Sequence, residues 1–139
     1  MVKGILADIN VIGQVDSLVR QMQTEEWIEV WTALNIELKH FVDVGLSGDS
    51  TDLEIWRTCQ AEQLVLVTDN RNRDSQDSLE AAIRQHNQHD SLPVFTISDI
   101  TRFQTSREFA GKVLEDFFDY LLRIDEVRGT GRLYLPQKQ

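Results

Sequence analysis

The chain has 139 residues, of which 41% are hydrophobic and 27% charged, with a formal net charge of −9. That mixture is ordinary for one globular domain, and so acidic a balance excludes a protein that coats nucleic acid through bulk positive charge. One cysteine, Cys59, excludes an internal disulfide framework and suits a reducing compartment, so a cytoplasmic location is expected.

In chain order, Val2 to Ala7 is a short apolar run that reads as a buried central strand. Met1-Val2-Lys3-Gly4 leads straight into it without the pattern of a signal peptide. Val11, Ile12, Val15, Leu18, Val19 and Met22 recur at helical spacing, and Trp27, Ile28, Trp31 and Leu34 continue that helix or open a second. Ile36, Leu38, His40 and Val42 alternate with mostly polar neighbours, which predicts a strand over 36–44, and Gly45 to Ser50 reads as a loop. Thr51-Asp52-Leu53-Glu54 fits a capping box at the start of a helix whose Leu53, Trp56 and Cys59 face the core.

Leu64 to Thr68 is the clearest buried strand, and Asp69 to Ser75 is loop-like. Leu79, Ala82 and Ile83 carry a helix to about Asn87, and Pro93 to Ile97 reads as a fourth strand entered through proline. Phe109, Val113, Leu114, Phe117, Tyr120, Leu121 and Ile124 mark a long amphipathic helix ended by Gly129 and Gly131, and Leu133-Tyr134-Leu135 reads as an edge strand. Phe109, Phe117, Phe118 and Tyr120 exceed what one stripe needs, which makes this helix a candidate homodimer surface. No apolar run approaches the roughly 20 residues that span a membrane. The order β-α-(α)-β-α-β-α-β predicts a three-layer α/β fold with a parallel sheet. A single domain is expected over 1–139, with its core in 2–100 and a helical extension over 101–139.

Ligands of such sheets bind outside the carboxyl ends of the strands. Three segments place acids or amides there: Asp8 and Asn10 after the first strand, Asp52 at a helix start, and Asp69 and Asn70 after the third strand. Gathered together, these oxygens would suit Mg²⁺ or Mn²⁺. Asp8 and Asp69 either cap the following segments or ligate a metal, and the recurrence on two central strands favours a shared site. Asp52 either complements the helix dipole or joins that site, while Glu54 is accounted for by its cap. Asn70, Asn72 and Asp74 either build turns or supply a further ligand, and Thr68 either closes the strand or bonds a ligand or water. Arg71 and Arg73 could grip a phosphate or be solvated. His40, His86 and His89 lack metal-ligand spacing, and Trp27, Trp31 and Trp56 read as core.

The succession Ile5-Leu6-Ala7-Asp8-Ile9-Asn10, Val42-Asp43-Val44-Gly45-Leu46, Asp52-Leu53-Glu54-Ile55 and Leu64-Val65-Leu66-Val67-Thr68-Asp69 resembles the compact PIN-like family, relatives of the PIN-domain ribonucleases that include toxin halves of toxin–antitoxin pairs. The resemblance covers roughly residues 2 to 100. It implies a flavodoxin-like strand order and a Mg²⁺- or Mn²⁺-dependent phosphodiesterase cutting RNA, with an antitoxin-like protein as partner. It assigns Asp8, Asp52 and Asp69 as catalytic metal ligands, supported by Asn10, Thr68, Asn70 and Asp74. Two departures stand out. The family's third motif is Thr, any residue, Asp, whereas here Asp69 follows Thr68 directly and Asn70 holds the later position. The acid that larger relatives carry on an intervening helix has only Glu26, Glu29 or Glu37 as counterparts.

Two alternatives share this fold class. A catalytically silent PIN-like protein would act as a binding or regulatory partner. A receiver-type phosphoacceptor domain would want an acidic pair at the first strand and a lysine after a late one, but Asn10 accompanies Asp8 and no lysine follows Ser98-Asp99.

Overall fold

The structure is a computed structural model describing residues 1–70 and 78–137. Five parallel strands form one sheet: β1 (Gly4–Ala7), β2 (Glu37–Lys39), β3 (Leu64–Thr68), β4 (Val94–Ile97) and β5 (Arg132–Leu135), in the spatial order β2-β1-β3-β4-β5. The expected α/β class and parallel sheet are therefore present, and the strand order is that of flavodoxin-like folds.

Side chains divide between two cores by the parity of their position. Ile5, Ala7, Val65, Val67, Phe95 and Ile97 enter one core. There they meet α1 (Ile12–Met22), α5 (Ile100–Thr105) and α6 (Arg107–Leu122). Leu6, Leu64, Leu66 and Val94 enter the other, against α3 (Asp52–Glu62) and α4 (Leu79–His86). Burial on both faces is why β1, β3 and β4 read as continuous apolar runs rather than alternating ones.

Capping residues set the helix starts. Thr51 Oγ1 accepts from the Glu54 amide at 3.1 Å, and Glu54 Oε1 accepts from the Thr51 amide at 3.2 Å, so the expected capping box is present. Ser78 and Ser106 cap α4 and α6 through the amides of Ala81 and Phe109, each at 3.1 Å. Gly129 and Gly131, with φ of 86° and 84°, turn the chain from the last short helix, α7 (Ile124–Val127), into β5.

Two expectations are corrected. The strand expected over 36–44 ends at Lys39, and residues Phe41–Val44 form a 3-10 turn. The Asp43 carboxylate accepts from the His40 amide at 2.8 Å and pulls the chain out of the sheet. The alternation of Ile36, Leu38, His40 and Val42 thus has two origins, and Val42 ends 82% exposed. The second correction is α5, a helix the apolar spacing did not signal, capped by Asp99 through the Arg102 amide at 3.0 Å.

The surplus aromatic residues of α6 are used within the chain. Phe109, Phe117, Phe118 and Tyr120 are all buried. Phe117 meets Phe95 edge-on with ring centres 5.0 Å apart, and Phe118 stacks on Trp27 at 5.0 Å, beside α2 (Ile28–Leu34). Among the described residues, no helix is long and apolar enough to cross a membrane.

Gly4 is wedged where β1 meets both neighbours. A Cβ there would strike the carbonyl oxygen of Glu37 and lie 3.1 Å from a Leu64 methyl. A clash with backbone cannot be relieved by a rotamer change. Gly4→Ala is expected to cost about 1–3 kcal/mol, as overpacking does, measured as a fall in the urea midpoint with an unchanged slope.

Candidate functional site

The parity that sorts the cores also sorts the polar residues at the carboxyl edge. Leu6, Leu64 and Leu66 face α3 and α4, and the same alternation carries Asp8 and Thr68 to that face. The Thr68 hydroxyl, fully buried, donates to Asp8 Oδ2 at 2.5 Å. The Asn70 amide donates to Thr68 Oγ1 at 2.9 Å. The Asn70 side-chain amide reaches Asp52 Oδ2 at 3.5 Å. One hydrogen-bonded line, Asp8–Thr68–Asn70–Asp52, therefore joins the ends of β1 and β3 to the first turn of α3.

Asp8 is 8% exposed and sits at the start of a 3-10 turn over Ile9–Val11, where its Oδ1 accepts from the Asn10 amide at 3.3 Å. The capping alternative therefore holds for Asp8, and the same carboxylate also ends the hydrogen-bonded line through Thr68. Asn10 contributes its backbone, and its side chain is on an exposed residue. Asp52 occupies the first turn of α3, where aligned amide dipoles favour negative charge. Glu54 is committed to its cap.

Asp69 has the opposite parity and lies elsewhere. It lines a cleft of about 310 Å³ with Ser98, Asp99, Ile100 and Thr101, beyond the ends of β3 and β4. The structure thus brings Asp8, Thr68, Asn70 and Asp52 together and turns Asp69 toward a neighbouring cleft. Asn70, two residues after Thr68, reaches Asp52 through its side-chain amide. Asp74, with Arg71, Asn72 and Arg73, lies outside the described residues.

The three glutamates named as counterparts of the further acid are scattered. Glu37 opens β2 and pairs with Lys39 at 3.0 Å, Glu29 opens α2, and Glu26 lines a cleft between α1 and α6. At the carboxyl end of β2 a different group assembles. His40 Nε2 lies 2.8 Å from Asp16 Oδ1 on α1, and Asp43 stands on its other side. Sequence spacing missed this cluster because His40 and Asp16 lie far apart in the chain. It also missed Arg132. This guanidinium donates to the Asn70 carbonyl at 2.7 Å and pairs with Glu80.

Among the described residues, no three His, Cys, Asp or Glu side chains gather closely enough to hold a metal ion by themselves. The donor set is instead two carboxylates and one amide, all hard oxygen donors. Mg²⁺ is commonly bound this way, through one or two carboxylates, several waters and a substrate phosphate rather than an all-protein cage. The residues present fit such an ion. A roomier cleft of about 560 Å³ lies between α1 and α5–α6, and its lining carries no carboxylate.

Compared with models of protein families, with curated proteins and with solved structures, the chain matches none.

Cys59, on the buried face of α3, is chemically quiet. Burial, and then the charge of Asp8, push its thiol up from 9.0 to about 12. The thiol should not react with Ellman's reagent at pH 8 until the protein is unfolded. Because folding raises this pKa, the protonated thiol's contribution is complete below pH 9.0 and is lost as pH climbs toward 12. Relative to Cys59→Ala, the wild type should lose stability above pH 9.0 with a slope of up to about 1.4 kcal/mol per pH unit.

Proposed function

We propose that this protein is a PIN-like, Mg²⁺- or Mn²⁺-dependent phosphodiesterase acting on RNA. The observation that carries the reading is the line Asp8–Thr68–Asn70–Asp52 at the carboxyl edge of the sheet. It puts two carboxylates from separate elements on one hydrogen-bonded path, at the edge where α/β sheets bind ligands. The sequence motifs that resemble the PIN-like family supply Asp8, Thr68 and Asp52 of that line, whereas their third acid, Asp69, lines the neighbouring cleft.

Each residue has a definable task. Asp8 would be the anchoring ligand, since its two accepted hydrogen bonds leave lone pairs on both oxygens. Thr68 would orient Asp8, because a fully buried hydroxyl bonded at both ends cannot turn away. Asp52 would supply the second carboxylate, and the side-chain carbonyl oxygen of Asn70 a neutral ligand. A bound divalent ion would supply an activated water and neutralise charge developing on the phosphate. The two negative charges are fewer than a strong metal site collects, so tight binding would need the substrate phosphate as a further ligand. That dependence also answers the net charge of −9, because an ion reverses the local sign where the RNA backbone must approach. In this reading Asp69 stands beside the ligand set, in the cleft with Asp99.

The test is cleavage of labelled RNA by purified protein with and without Mn²⁺. Asp8→Asn is expected to reduce metal-dependent cleavage by about 100-fold or more, the several kcal/mol a Lewis acid contributes. Wild-type turnover by that variant would overturn the assignment. No Mn²⁺ binding at millimolar metal, together with no RNA cleavage, would favour the catalytically silent form, in which the neutral Asn70 stands where a metal-binding acid would be.

Asn70→Asp would restore the family's Thr-x-Asp acid and a third carboxylate. It is expected to tighten Mn²⁺ binding by about 10-fold in calorimetric titration, with cleavage rising in parallel.

A further inference from the structure

Arg132 opens β5, the strand at the far edge of the sheet from β2. Its register partner is Val94, so it shares a sheet face with Val94 and Thr96, the face covered by α3 and α4. The side chain runs across β4 toward the carboxyl edge and is only 7% exposed. Nη1 donates to Thr96 Oγ1 at 2.6 Å and to the Asn70 carbonyl at 2.7 Å. Nε donates to Glu80 Oε2 at 3.1 Å. Nη2 lies 3.0 Å from that same oxygen but off the donor axis, so Nε carries the hydrogen bond and Nη2 adds charge alone.

Burying a guanidinium is expensive, and an apolar side chain of similar volume would fill the space at lower cost. What arginine adds is a rigid fork that holds several acceptors in fixed relation. The three acceptors here come from β4, from the second residue after β3 and from the first turn of α4. One of them belongs to Asn70, whose amide holds the Thr68 hydroxyl and whose side chain reaches Asp52. Anchors on the N–H and the C=O flank a single Cα, so together they set the direction of its side chain.

We infer that Arg132 is a positioning residue for the candidate site, fixing Asn70 so that it meets Asp52 and supports Asp8 through Thr68. The fixing of Asn70 stands on the geometry alone, and its consequence for cation binding rests on the proposed function.

The test compares the wild type with Arg132→Lys, which keeps the charge but loses the fork, and with Arg132→Met/Glu80→Met, which removes both charges and refills the volume. In ¹⁵N-labelled protein, both variants should shift the backbone and side-chain amide signals of Asn70 and speed exchange of its N–H relative to the core amides of Leu66 and Val67. Mn²⁺ affinity should weaken by about 10-fold or more with Asp8 and Asp52 intact, as loss of an outer partner of a metal ligand does. Unmoved Asn70 signals, or Asn70 exchange that changes only in step with Leu66 and Val67, would overturn the inference. A wild type that neither binds Mn²⁺ nor cleaves RNA in its presence would sink the proposed function instead, while Asn70 exchange still decides the positioning.

Discussion

A parallel sheet covered on both faces leaves each strand side chain only two directions, and the organisation of this protein follows from that division. Apolar residues can go either way, so β1 and β3 carry no polar position until their carboxyl ends, and β4 carries Thr96 alone before its last residue. There the same alternation still governs, but the residues it distributes are Asp8, Thr68, Asp69 and Asn70. Even positions join Asp52 beneath α3, and the odd position Asp69 turns to the cleft near α5.

The buried carboxylate makes this division energetically consequential. Asp8 gives up most of its water, a loss of several kcal/mol for an ion without compensation. Two hydrogen bonds to it, each worth about 1.5–3 kcal/mol when one partner is charged, offset part of that cost and use about half of the acceptor sites a carboxylate presents. A carboxylate held this way is oriented and keeps acceptor sites open, as the metal ligand of the proposed function would require. Arg132 and Glu80, by contrast, compensate each other within the fold, and the arginine's remaining donors are turned onto backbone and hydroxyl oxygens.

The readability of the sequence follows the range of the interactions. Local signals survive intact: the Thr51–Glu54 capping box, the apolar run of β3 and the helical stripe of α1 each depend on residues a few positions apart. The 3-10 turn after β2 was hidden because His40 and Val42 happen to continue an alternating pattern that Asp43 interrupts through a backbone bond. The capped start of α5 was missed because six residues are too few to display a stripe. Asp8 and Asp52 could be named from their places at a strand end and a helix start. Whether Asp69 or Asn70 accompanies them depends on a parity that spacing alone leaves open by one residue. His40 with Asp16, and Arg132 with Asn70, are pairings across the fold with no local trace.

The guanidinium of Arg132 has a consequence for the order in which the molecule becomes complete. A chain made from its amino end produces Asp8, Asp52, Thr68 and Asn70 long before Arg132. Every oxygen of the candidate site therefore exists during a period when nothing on β5 can hold the Asn70 carbonyl. Site composition and site geometry are separated in time. A growing chain carries the chemistry in its side chains but acquires the arrangement only when its fifth strand is laid against the fourth.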